Sequence, residues 1–168
     1  MVLIAPSTAQ DPDGRMLSAA LEGLAGERVR VIASTNRRPA AARQARVPPN
    51  ARLVDWLSYA KTMPHCAAVV CHAGHGTVAR ALACGVPVVG CPAAGDMAEN
   101  AARVSWAGCG ISLPRRLVTP RGIRLAVRKL LAEPAHAAGA DRLRRWACAH
   151  DGGAIAAQAL EGLTASRP

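Results

Sequence analysis

The segment Val69 to Pro92, VVCHAGHGTVARALACGVPVVGCP, constrains the fold more than any other part of the chain. It reads as an apolar run, a tight glycine turn carrying two histidines, a helical run, Gly-Val-Pro and a second apolar run. Apolar runs without polar alternation are strands buried on both faces, and that burial belongs to a parallel sheet. His72 and His75 are thereby put into the turn between a buried strand and a helix, where two histidines need a reason.

The same alternation runs along the whole chain. Strands are expected at 2–7, 28–34, 51–56, 67–72, 86–91 and 109–114. Helices are expected at 12–26, 77–85, 96–108, 137–149 and 153–164, with another opening at Thr119 and Pro120. Thr119 is an N-cap with Pro120 in the first helical position, Asp96 is a good N-cap, and Gly85 and Gly108 close their helices. A short helix runs from a Ser58 cap to Pro64. Residues 35–50 form a loop rich in Pro and Arg. Strands alternating with helices call for a single α/β domain over residues 1–168, a Rossmann-like parallel sheet with helices on both faces. In such sheets ligands bind beyond the carboxyl ends of the strands. Ser7-Thr8, Thr35-Asn36, Trp56, His72 to Thr77 and Pro92 to Asp96 all fall at that edge.

Composition narrows the function. At 168 residues the chain is long enough for one real core and too short for two ordinary ones. Its aromatic residues are Trp56, Trp106, Trp146 and Tyr59, with no Phe, so the core is built from Ala, Val, Leu and Ile. No apolar run approaches the roughly 20 residues of a membrane span, and MVLIAPST lacks the basic region of a signal peptide. A cytoplasmic location is the expectation. The net charge of +10 comes almost entirely from Arg and suits an anionic partner. No aromatic residues interleave with the arginines to stack bases, which argues against a nucleic-acid surface. The six cysteines contain no C-x-x-C pair and read as small buried hydrophobes in a reducing compartment. A zinc site on Cys71, His72 and His75 lacks a second half.

The turn CHAGHGTVA carries the chemistry. Gly74 and Gly76 stand where the chain turns sharply, and glycine admits positive φ and close ligand approach. The first N–H groups of the next helix have no internal partner and carry the positive end of the helix dipole, a ready phosphate site. Thr77 offers a hydroxyl, and His72 offers a ring N–H or a positive charge. The alternative is a turn that only lets strand and helix pack, with His72 a satisfied core histidine. Gly74-x-Gly76-x-x-Ala79 also matches the dinucleotide fingerprint formally, with Asp96 lying 22 residues past Gly74. That acid should end the following strand, and VPVVGCP ends without one.

The segment from Val54 to Leu113 resembles the nucleotide-sugar-binding half of a GT-B glycosyltransferase. The resemblance is to the bacterial natural-product branch, similar to macrolide and glycopeptide glycosyltransferases and related to plant UDP-glycosyltransferases. It rests on a strand ending in Trp56, then TMPHC, HAGHGT, GVP, the helix P-x-x-x-D-M-x-x-N-A-x-R-V, and GCGISL, in the family's order. The resemblance implies that Trp56 stacks on the nucleobase with the Leu57 backbone beside it. It makes His72 a diphosphate ligand and Gly74, Gly76 and Thr77 its cradle. Ser7 or Thr8 faces the donor, and Asp96 with Met97 faces the sugar. His75 falls at a variable position and carries no implied chemistry.

Two departures bear on the donor. Plant UDP-sugar enzymes carry a Glu on the ribose hydroxyls eight residues after the motif His, where this chain has Arg80. Met97 replaces the Gln of an Asp-Gln pair. Both point to a dTDP-deoxysugar, with UDP-sugars the other nucleotide class. The resemblance implies no metal or other cofactor, and no D-x-D pair is present. It places the acceptor pocket and catalytic base in an N-terminal half that this chain lacks, so no catalytic residue is expected here. The small-molecule acceptor is reached through that half. Apolar surface left uncovered on 36–50 and 137–164 favours self-association. The alternatives are a non-catalytic partner module of the same fold and a Rossmann-type NAD or nucleotide-binding enzyme.

Overall fold

The computed structural model describes residues 1–7, 14–37 and 45–165. Six strands form one sheet: β1 (Val2–Ala5), β2 (Val31–Ser34), β3 (Ala51–Val54), β4 (Ala68–Cys71), β5 (Val88–Gly90) and β6 (Gly110–Ser112). Their order is β3-β2-β1-β4-β5-β6, and every pairing is parallel. Val2 lies opposite both Val31 and Ala68, so β1 sits at the centre of the register. The chain reverses its direction of growth between β1 and β4, which opens a crevice beyond their carboxyl ends.

The helices are α1 (Arg15–Gly23), α2 (Tyr59–Thr62), α3 (His75–Ala83), α4 (Met97–Trp106), α5 (Pro120–Ala132), α6 (Pro134–Ala149) and α7 (Gly152–Ala165). Although the strands are mostly apolar, with Arg52 exposed on the edge strand β3, their residues alternate between two cores. Val2, Ile4, Val31, Ala68, Val70 and Val89 pack under α1 and α5, against Leu17, Leu21, Ile123 and Val127. Leu3, Ala5, Val69, Cys71 and Val88 pack on the other face against Met63, Val78, Ala81, Ala101, Val104 and Ala140. Each fully buried Leu, Ile or Val contributes about 1.5–3 kcal/mol. With no Phe to fill space, closeness comes from small residues. A Cβ on Gly110 would overlap the Val88 carbonyl, and one on Gly139 would crowd Gly108.

The expected α/β sheet is present, with local differences. The second strand starts at Val31 rather than Arg28, because the Asn50 amide lies within hydrogen-bond reach of the Leu24, Glu27 and Val29 carbonyls and holds that segment as a turn. Thr119 caps α5 as expected, its hydroxyl oxygen accepting from the Gly122 N–H at 3.1 Å. The Ser58 side chain makes no cap bond to α2. Asp96 sits at the cap position of α4, but its carboxylate makes no cap bond either. The helix expected at 77–85 begins at His75, because the Gly74 carbonyl accepts from the N–H groups of both Thr77 and Val78, at 3.1 Å each. No helix among the described residues is long and apolar enough to cross a membrane.

Gly23, the last residue of α1, is buried where α1 meets α5, and a Cβ there would overlap the Pro120 carbonyl. Gly→Ala in an open helix position stabilises by roughly 0.5–1 kcal/mol. Gly23→Ala should instead destabilise by about 2 kcal/mol, because backbone rather than a flexible side chain must move. Calorimetry should show the melting temperature falling by roughly 4–8 °C. An unchanged or raised value would mean that α1 and α5 do not meet this closely.

Candidate functional site

Parallel strands bring their carboxyl ends to one edge, and four of the loops there surround a cleft of about 480 Å³. Pro6 follows β1, Asn36 follows β2, Trp56 to Ala60 follow β3, His72 follows β4, and Thr77 and Arg80 project from α3. Trp56 is 58% exposed, so it is not a core aromatic. The Arg37 guanidinium lies 5.8 Å from the centre of its indole ring. Leu57 and Tyr59, just after Trp56, pack inward against the core under α3, while Trp56 stays exposed. None of the residues lining the cleft is acidic, and Arg80 makes no ion pair among the described residues.

The glycine turn differs from expectation in an informative way. The positive φ falls on Ala73, at 61°, whereas Gly74 is extended with φ −63° and ψ 140°. Gly74 is needed for another reason: a Cβ there would overlap the His72 Nε2. The imidazole thus folds over the glycine, with its Nδ1 3.3 Å from the Ala5 carbonyl oxygen. The turn is held from outside by Asn100 of α4, whose amide donates to the Ala73 carbonyl at 3.1 Å and to the Asp96 carboxylate at 3.0 Å. At the head of α3 no side chain caps the helix. The Thr77 and Val78 N–H groups are engaged by Gly74, which leaves those of His75 and Gly76 facing outward. A Cβ on Gly76 would meet nothing within 4 Å, so the space before it is open.

Helix α3 separates the two histidines. Thr77 and Arg80, one turn apart, share the cleft with His72. His75, with Val78, Ala79 and Leu82, lines a second cleft of about 260 Å³ closed by Val104, Ala107 and Leu143. The second cleft is mostly aliphatic. Cys71 does not join His72 and His75 as a metal site: it is fully buried, and burial pushes its thiol up to about 12. No group of three or more metal-ligating side chains occurs among the described residues.

The structure therefore brings Trp56, Leu57, His72 and Thr77 to one cleft, with Gly74 beneath the imidazole and Gly76 in the first turn of α3. Ser7 is buried just past β1 and is not part of the cleft wall. Asp96 and Met97 stand at the head of α4, tied to the turn through Asn100, and do not line this cleft. Thr8 lies outside the described residues. The sequence places Asn36 at the sheet edge without assigning it a role, and it does not mark Arg37, Tyr59 or Asn100 as site residues. The one available signal was Asn36, a residue that tolerates positive φ, directly after a strand.

A profile for the C-terminal domain of erythromycin biosynthesis protein CIII-like proteins matches residues 17–163. The 4'-demethylrebeccamycin synthase of Lentzea aerocolonigenes is 37% identical over 163 residues, covering 97% of this chain and 38% of that protein. The crystal structure of CalG4, the calicheamicin glycosyltransferase, superposes with a TM-score of 0.86 at 28% identity, over 99% of this chain and 43% of that one. The glycosyltransferase VinC in complex with dTDP superposes with a TM-score of 0.73 at 26% identity, over 86% of this chain and 36% of that one. The chain thus spans well under half the length of these relatives. With its profile match over most of its length and a relative 37% identical over 97% of it, the chain belongs to the family of erythromycin biosynthesis protein CIII-like C-terminal domains, found in glycosyltransferases of natural-product biosynthesis.

Proposed function

We propose that this chain is the donor-binding half of an inverting glycosyltransferase that transfers a deoxysugar from a dTDP-sugar to a hydroxyl of a small natural product. One observation carries the reading: a single cleft joins an exposed indole, a histidine, a threonine in the uncapped first turn of a helix and an arginine, with no carboxylate in its wall. That set suits a flat base joined to a polyanion. In this reading the base stacks on Trp56, a contact worth about 1–3 kcal/mol. The diphosphate sits before Gly76, on the His75 and Gly76 N–H groups, the Thr77 hydroxyl and His72. Asp96 and Met97, at the head of the next helix, face the sugar. As the acceptor oxygen attacks the anomeric carbon and the diphosphate departs, charge grows on the phosphate oxygens. The helix terminus and His72 are already oriented to receive it. The reading needs no metal, because fixed donors neutralise the leaving group. The base and the acceptor pocket come from an N-terminal half outside this chain.

The direct test is calorimetry with nucleotides followed by an assay for transfer. The chain alone should bind dTDP and transfer no sugar. Absence of dTDP binding, or robust transfer by this chain alone, would overturn the proposal.

The diphosphate position gives a sharper test. When Nδ1 donates to the Ala5 carbonyl, Nε2 carries a proton only in the imidazolium form, so a His72 bond to phosphate is charge-assisted. His72→Ala should weaken dTDP binding roughly 10- to 100-fold, with about 1 kcal/mol of lost stability from the Ala5 contact. His75→Ala, facing the other cleft, should change affinity less than about twofold. Gly76→Ala separates binding from folding. It should raise the melting temperature by roughly 2–4 °C through helix propensity while lowering dTDP affinity by about tenfold or more. Unchanged dTDP affinity in both His72→Ala and Gly76→Ala would remove the cradle.

Donor preference tests the finer statement. Arg80 has no acceptor atom for a ribose 2′-hydroxyl proton, so dTDP should bind at least as tightly as UDP. Arg80→Glu supplies the acceptor and also repels phosphate, so both affinities should fall while their ratio moves toward UDP by about threefold or more. A wild-type preference for UDP would refute the deoxyribose argument.

A further inference from the structure

The nucleobase platform has no regular secondary structure of its own. Trp56 lies between the end of β3 at Val54 and the start of α2 at Tyr59. Its direction depends on what holds the two ends. Upstream, the Asp55 carbonyl accepts from the Arg37 N–H at 2.8 Å and from the Thr35 hydroxyl at 3.3 Å. Downstream, the Tyr59 hydroxyl donates to Asn36 Oδ1 at 3.2 Å. Asn36 also donates from Nδ2 to the Pro6 carbonyl at 2.8 Å, and its Oδ1 receives the Ser34 hydroxyl at 3.0 Å. One half-buried amide therefore joins the ends of β1 and β2 to the helix that follows the platform. Asn36 has φ 50°, and Arg37 beside it has φ 62°. A non-glycine pair in the left-handed region persists only where its surroundings hold it, and such strain gathers at functional sites.

We infer that Asn36 and Tyr59 form a clamp that aims Trp56, making them positioning residues for nucleobase recognition. The inference rests on the proposed nucleotide site and adds residues for its base end. The hydrogen bonds of the clamp run to the residues after β1, β2 and β3 and not to the glycine turn. Loosening it should therefore degrade recognition of the base while leaving recognition of phosphate intact, which a general loss of stability would not do.

Two variants isolate the clamp. Asn36→Gly removes the amide and keeps the positive φ available without strain. Tyr59→Phe keeps the packed ring and removes one hydroxyl. Affinities for dTDP and for inorganic pyrophosphate are measured by calorimetry on the full chain, with a thermal melt confirming that each variant is folded. Asn36→Gly should lower the dTDP-to-pyrophosphate affinity ratio about tenfold and Tyr59→Phe about threefold, with pyrophosphate affinity unchanged. Asn36→Asp, which keeps an acceptor for Tyr59, should fall between wild type and Asn36→Gly. An unchanged ratio in both main variants, or equal losses for the two ligands, overturns the clamp while the nucleotide site stands. A wild-type chain that does not prefer dTDP over pyrophosphate overturns the nucleotide site, and the clamp with it.

Discussion

Covering a parallel sheet on both faces is the constraint from which the rest follows. Each strand must be apolar on both sides, and its backbone groups are satisfied by neighbours, so polar chemistry has no place in the layers. It gathers where the strands stop. Among the described residues the buried polar side chains are Ser7, Ser34 and Thr35, all at the carboxyl ends of β1 and β2. The same constraint explains how a chain without Phe makes a tight core. Gly23 meets the Pro120 carbonyl, Gly110 meets Val88, Gly139 meets Gly108, and Gly90 lies under Ala101 and Ala73. The Gly23 and Gly139 contacts bring helix backbone against neighbouring backbone, and the Gly90 contact seats α4 closely on β5.

The sheet edge also collects the strain. The non-glycine residues with positive φ among the described residues are Ala73, Asn36 and Arg37. All three border the cleft or stand beside its walls, and each is restrained by a bond from a neighbouring element. Asn100 holds the Ala73 carbonyl, Asn36 is bonded through its own amide, and the Arg37 N–H is bound to Asp55. Strain at a cost of order 1–3 kcal/mol per residue is tolerable where the frame is rigid enough to impose it. Local structure and site are connected here: the frame imposes a turn shape that no local propensity favours, and that shape aims the histidine and the indole.

What was legible in the sequence is what depends on pattern. Apolar runs separated by helical runs indicated the six strands and the two-sided cover, and Thr119-Pro120 indicated a helix start. The turn motif drew attention to His72, Gly76 and Thr77. Less legible was whatever depends on contacts between elements. Gly74 was read as a positive-φ glycine, yet its role is to make room for the His72 ring, and the positive φ sits on Ala73. Asp96 has the composition of a cap, yet its carboxylate turns to Asn100. Asn36, Tyr59 and Asn100 are isolated polar residues without periodicity. Their partners lie 23 to 30 positions away in the chain, and one sequence cannot reveal such distant bonds.

Charge illustrates why position outweighs total. A net charge of +10 points only toward anions in general. In the structure part of the basic surface is tied to the chain's own acids: Arg128 and Arg124 to Glu27, Arg103 to Glu99, and Arg144 and Arg145 to Asp141. The bond to Arg128 holds the Glu27 carboxyl below its ordinary range, and the bond to Arg144 does the same for Asp141. The exposed pairs among them, Arg103 with Glu99 and the two on Asp141, add little to stability. None of their carboxylates lines the Trp56–His72 cleft. There Arg80 shares the cleft wall with His72 and Thr77, and no acid lines it. In general, a cleft lined by one sign of charge focuses field lines and raises the local concentration of oppositely charged solutes. The cleft is distinguished by the absence of any carboxylate from its wall, not by the total charge of the chain.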